Sequence, residues 1–149
     1  HAHYYARHWN FGLPFATKVG MELAEFIARR DADKDLFLAA YGAEGALASV
    51  VIDASAGGPR GAHLRWFIVA EELQGKGLGA QLLASALGFC DRRDYERVWL
   101  TTFKGLDAAR TLYERHGFVL TSEVEQDDQW SGGVREQIFE RTLPEPGRP

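Results

Sequence analysis

A single cysteine, Cys90, among 149 residues leaves no partner for an internal disulfide. That excludes a disulfide-stapled scaffold and fits a reducing compartment. No apolar run is long enough to span a bilayer, and the N-terminus carries no signal-peptide pattern. The expected location is cytoplasmic, with no membrane partner. Positive charge is not in excess: 17 Lys and Arg face 21 Asp and Glu, for a net charge of −4. A broad electrostatic footprint for nucleic acid is therefore missing. Internal repeats and low-complexity tracts are absent as well. His1, His3 and His8 find no closing set of ligands, so no metal is expected.

What remains is ordinary globular material, 46% hydrophobic and 26% charged. The length suits one domain, placed at residues 1–143, with "PEPGRP" (144–149) as a frayed tail. "HAHYYARHWNFG" reads as a short helix ending at Gly12. Val19, Leu23, Phe26 and Ile27 recur at helical spacing, which predicts an amphipathic helix over Phe15–Arg30. "DLFLAAY" and "ALASVVID" are apolar runs around the turn signal "GAEG", a hairpin. "AHLRWFIV" is a further strand. A helix follows near Leu78–Asp91, with Leu82, Leu83, Ala86, Leu87 and Cys90 on one side. "RVWLTT" is a strand, Asp107–His116 a helix stopped by Gly117, and "FVLTSEVEQ" and "VREQIFERTL" are two late strands. The sum is a mixed α/β domain with a largely antiparallel sheet and one parallel strand–helix–strand crossover.

Gly75, Gly77 and Gly79 crowd the junction between the third strand and the following helix. Three readings compete. Gly75-Lys76-Gly77-Leu78-Gly79-Ala80 matches the dinucleotide pattern G-x-G-x-x-A, but the next strand ends in Thr101-Thr102 where an acid is expected. A P-loop fails, since Lys76 is followed by glycine. The third reading is an anion seated on the first N–H groups of a helix, with glycines allowing close approach. Tight packing of a strand–helix corner remains open beside it.

A second stretch, "AARTLYERHGF", supplies a helix with Tyr113, a glycine stop and a returning strand. Together the two stretches resemble the GNAT superfamily of acetyl-CoA-dependent N-acetyltransferases. Its pyrophosphate motif Q/R-x-x-G-x-G/A corresponds to Gln74–Gly79, and its A-x-x-L-Y-x-x-x-G-F to Ala109, Leu112, Tyr113, Gly117 and Phe118. "YYARHWNFG", "AHLRWFIV" and "WSGGVREQIFER" further resemble the acetyltransferase half of bacterial proteins that carry a MarR-type regulator. The resemblance implies the GNAT fold, with the family's first strand short or absent. It implies acetyl-CoA as co-substrate and a small-molecule or protein amine as acceptor. A non-catalytic acetyl-CoA sensor, associated with a MarR-type regulator, is the alternative. The acceptor's identity and the oligomeric state are not legible.

The resemblance also implies roles. The backbone at Ile68 and Val69 receives the acetyl-bearing arm, and that strand splays from its neighbour. Gln74, Gly75, Lys76, Gly77, Leu78, Gly79 and Ala80 hold the pyrophosphate, and Lys104 is a further phosphate contact or a solvated lysine. Tyr113 protonates the departing thiolate; a phenol carries its proton at neutral pH. Leu106 stands where many relatives have a cofactor-holding Asn. For the base, His63 lies six residues before Val69, and even spacing puts both on one strand face. Histidine suits the task by its ordinary pKa near 6.5, although a histidine satisfied by a neighbouring strand is equally open. Glu71, Glu72 and Glu136 are reserves. Cys90 and the tryptophans Trp66, Trp99 and Trp130 read as packing residues, and Arg92-Arg93 as a solvated helix end.

Overall fold

A computed structural model describes residues 13–55, 58, 60–125 and 135–143. The expected short helix before Gly12, the histidines 1, 3 and 8, Trp130, the tail and any opening strand lie outside the described residues. α1 spans Leu13–Arg29, β1 Leu36–Gly42, β2 Gly45–Asp53 and β3 Ala62–Val69. After a 3-10 turn at Glu71–Leu73 come α2 (Leu78–Arg92), β4 (Arg97–Phe103), α3 (Asp107–Arg115), β5 (Val119–Glu125) and β6 (Arg135–Thr142). The strands form one sheet in the order β1-β2-β3-β4-β6-β5. Among the described strands, only β3 and β4 run parallel.

The element boundaries follow the apolar periodicity closely, because each element has one dry face. On α2, Leu83, Ala86, Leu87 and Cys90 are buried against the sheet residues Val50, Ile52, Leu64, Val98 and Leu100. α1 buries Phe26 but leaves Ile27 59% exposed, contrary to the expected stripe. One residue is a 100° turn, and with Phe26 facing the sheet Ile27 falls on the outer edge. Arg93 departs from its solvated reading too. Its guanidinium lies over Phe89, 3.9 Å from the ring centroid, and donates to the Asp33 carbonyl.

Two local devices shape the centre of the sheet. At Gly61, φ is +90°, and a Cβ there would collide with the Arg97 carbonyl oxygen. Glycine thus lets β3 and β4 close tightly at their starts, where Ala62 pairs Val98 and His63 pairs Trp99. No further pair joins these two strands. At the other end Trp66 adopts φ +46°, and the β2–β3 register slips between Ser49 and Val51. This is a β-bulge, which bends its strand and increases twist. The Ser49 hydroxyl donates to the Trp66 carbonyl at 2.7 Å and holds the bulge. β3 and β4 are pinned at one end and splayed at the other.

The bulge also corrects the parity argument from sequence. His63 pairs Asp53, Arg65 pairs Val51 and Ile68 pairs Ser49, so these share a face. Leu64 and Val69 pair Ile52 and Ala48 on the opposite face. The extra residue inverts the alternation, and His63 and Val69 point to opposite sides of the sheet. His63 belongs to the α1 side and Val69 to the α2 side.

Candidate active site

The splay opens a cleft of about 910 Å³ that passes through the sheet. Its walls are β3 from His63 to Val69 and β4 from Leu100 to Phe103. The N-terminus of α2 and the inner side of α3 close one mouth, and Lys18, Val19 and Glu22 of α1 line the other.

At the α2 mouth the glycines divide their labour. Gly75 and Gly77 have φ of +77° and +84°, and a Cβ on either would meet nothing within 4 Å. They turn the chain and leave open space beside it. Gly79 instead allows close packing: its Cβ would lie 3.4 to 3.6 Å from Phe67, Val69 and Leu112. The helical ladder begins with the Gln81 N–H donating to the Gly77 carbonyl at 3.1 Å. The N–H groups of Leu78, Gly79 and Ala80 therefore precede the ladder and carry the helix's partial positive charge. The Gln74 side chain is not aimed at an anion; its Nε2 donates to the Val69 carbonyl at 3.0 Å and ties the loop to the end of β3.

Tyr113 is held from several directions. The residue is 5% exposed, and its ring packs on Phe67, Phe118 and Phe139, with centroids 6.0, 5.9 and 6.2 Å away. α3 ends in a Schellman arrangement. Gly117, at φ +91°, donates to the Glu114 carbonyl, and Phe118 to the Tyr113 carbonyl at 3.1 Å. The Gly-Phe pair four and five residues after the tyrosine is thus the clamp that sets its ring. Tyr113 lines the cleft on the same side as the α2 N-terminus.

Across the sheet, His63 stacks on Trp99 at 3.7 Å with an interplanar angle of 7°. Burial, then the positive charge of Arg65, pushes its pKa from 6.5 down to about 3, against the pull of Asp53. His63 is neutral at physiological pH. Glu136 also lines the cleft, whereas Glu71 and Glu72 are exposed outside it. Lys104 does not line it either. Its side chain is 63% exposed and its Nζ lies 3.8 Å from Glu123. Cys90 is buried in the core, and desolvation raises its thiol to about 12, which leaves it inert.

The open start of α2, the splayed parallel strands and Tyr113 are the places to which the sequence resemblance assigned roles. Residues 4–118 match the model of the acetyltransferase (GNAT) family. The chain belongs to the GNAT acetyltransferase family. It is an acyltransferase with the six-stranded, mostly antiparallel sheet of that fold. The chain is similar to a solved nourseothricin acetyltransferase, at 27% identity and a TM-score of 0.65, covering 77% of this chain and 69% of that one. It is similar in fold to ribosomal-protein-alanine N-acetyltransferase from Brucella melitensis, at 18% identity and a TM-score of 0.68, over 83% and 78% of the two chains. A structure from Bacillus anthracis str. Ames in complex with acetyl coenzyme A matches at 16% identity and a TM-score of 0.62, over 74% and 64%. No curated protein matches the chain. Among the described residues, no helix is long and apolar enough to cross a membrane.

Sequence reasoning named His63 on the α1 side but missed the charged cluster beside it. Arg65, Glu22 and Lys18 line that mouth, and buried Asp53 stands behind Arg65. The one available signal was a charged residue, Arg65, inside the otherwise apolar "RWFIV".

Proposed function

We propose that this GNAT domain transfers acetyl from acetyl-CoA to a primary amine by direct attack in a ternary complex. The observation that carries the reading is the splay: one cleft reaches both faces of the sheet, so donor and acceptor can enter from opposite mouths. The residues present fit the donor. Open space beside Gly75 and Gly77, backed by the N–H groups of Leu78 to Ala80, suits a pyrophosphate. The splayed edge of β3 at Ile68 and Val69 presents backbone to the pantetheine arm.

The amine nitrogen bonds the acetyl carbon while the carbon–sulfur bond breaks. The thiolate takes a proton from the Tyr113 hydroxyl on the α2 side. The nitrogen loses one on the α1 side, where His63 lies. Nitrogen becomes far more acidic once bonded to the carbonyl carbon, so a weakly basic neutral imidazole suffices; Glu136 also lines the cleft and is the alternative acceptor. Lys104 has no part in this reading. Association with a MarR-type regulator, implied by the sequence resemblance, would place this chemistry beside a transcription factor.

Acetyl-CoA should raise the melting temperature, and free CoA should appear only with a productive amine. Gly77→Asn and Gly77→Val test the cradle. Asn tolerates a positive φ, so its variant should fold normally yet put a side chain into the phosphate space. Val adds backbone strain to the same obstruction. Both should lose at least about tenfold in acetyl-CoA affinity, comparable to one lost charge-assisted contact. Undiminished protection of Gly77→Asn by acetyl-CoA would sink the assignment.

A further inference from the structure

On the α1 wall of the cleft, two cations converge on one carboxylate. Lys18 Nζ lies 2.7 Å from Glu22 Oε1, and Arg65 Nη2 lies 2.7 Å from Glu22 Oε2. All three residues line the cleft. Arg65 is preorganised for the task. Its Nη1 donates to Asp53 Oδ2 at 3.1 Å, its guanidinium sits 4.1 Å from the Trp66 ring centroid, and its side chain is only 17% exposed. Asp53 is in turn held by both Nη atoms of Arg29, at 2.9 and 2.6 Å. Glu22 differs from these. It sits on the helix surface with a side chain 35% exposed, so it can rotate out into solvent.

Charge points the same way. Among the groups in direct ion pairs, Lys18, Arg29 and Arg65 face Glu22 and Asp53, and departure of Glu22 removes one negative charge from Lys18 and Arg65; Asp35 and Glu25 act on Arg29. Burial is the main cause of the depressed His63 pKa; after it, Arg65, Lys18 and Arg60 lower it and Asp53 raises it. Glu136 and Asp107 are the other carboxylates that line the cleft.

We infer that Lys18 and Arg65 form a carboxylate subsite that Glu22 fills when no acceptor is bound, and that the acceptor is an amino carboxylate whose own carboxylate displaces Glu22. The inference rests on the acetyltransfer reading above and narrows its acceptor. A guanidinium fixed by a buried aspartate and stacked on an indole loses little freedom on binding, and its planar fork matches a carboxylate.

The test compares glycine, glutamate and 4-aminobutyrate with their amides, in the wild-type chain with acetyl-CoA. The carboxylates should be preferred by roughly tenfold or more in kcat/KM. Lys18→Met should erase most of that preference. Glu22→Gln should raise kcat/KM for the carboxylates, because an internal competitor is removed. If Glu22 instead holds the acceptor's ammonium, Glu22→Gln lowers kcat/KM for every amine, and the inference is overturned. Equal rates for acids and amides overturn it as well. Absence of turnover with any amine overturns the acetyltransfer reading itself. The subsite is then judged by melting temperature: a rise with glutamate but not with its diamide supports it, and equal shifts refute it.

Discussion

Tyr113→Phe is expected to lower kcat and kcat/KM together by about 10²–10⁴-fold, the usual worth of general-acid assistance. Acetyl-CoA affinity and melting temperature should stay close to wild type. The reason is geometric. The ring of Tyr113 supplies the packing against Phe67, Phe118 and Phe139, and phenylalanine keeps all of it. The Gly117–Phe118 clamp acts on the backbone carbonyls of Glu114 and Tyr113, and it is untouched by the change. Only the hydroxyl is lost, and the hydroxyl is needed most as the thiolate departs. Single-turnover kinetics with one fixed amine separates chemistry from product release. Wild-type turnover in that assay would mean that the hydroxyl is a packing or binding group.

His63 gives the second large effect, and its sign follows from its burial. In the fold its pKa is about 3, against an ordinary value of 6.5. Below 6.5 the unfolded chain takes up a proton there and the native chain does not. The stability that neutral His63 contributes is therefore complete above 6.5 and is lost as pH falls toward 3. The loss approaches 1.4 kcal/mol per pH unit, roughly 2–3 kcal/mol between pH 6.5 and about 4.5. Asp35 and Asp53, lowered from 3.8, lose most of their contributions at more acid pH, and Glu123, lowered from 4.5, begins to lose its own at the lower edge of the window, so the upper part of the window reports the histidine best. His63→Phe keeps a ring against Trp99 and removes the titration. Its denaturant-unfolding free energy should be flatter than wild type across the window. Coincident slopes would show that the ring is not buried as described.

The same burial sets the kinetic signature. A histidine that is neutral throughout the working range contributes no limb between pH 6 and 8, contrary to what an ordinary histidine would do there. Any rise in that range belongs to the amine. If His63 takes the proton, His63→Gln slows turnover by a factor that does not change with pH. If the variant is as fast as wild type, Glu136 or water carries the proton.

The elements and the glycine-rich mouth at α2 were readable from the chain alone because their signals are local. Apolar spacing marked α2 and β3, since each residue of a regular element meets the same solvent boundary as its neighbours three, four or two positions away. Gly75 and Gly77 mark positive φ, and Gly117-Phe118 marks a helix stop that fixes Tyr113. Those are backbone requirements of a few consecutive residues, and they survive in any surroundings. Tertiary structure alone decided the rest. The bulge at Trp66 is set by pairing with β2 and the Ser49 hydroxyl, and it moved His63 to the face opposite Val69. The stack on Trp99 brought together residues 36 positions apart and drove the His63 pKa down by desolvation. Glu22, Asp53 and Arg65 meet only because α1 lies across β2 and β3. Charge, burial and proton affinity depend on which distant groups arrive within a few ångströms, and nothing in the order of the residues states that distance.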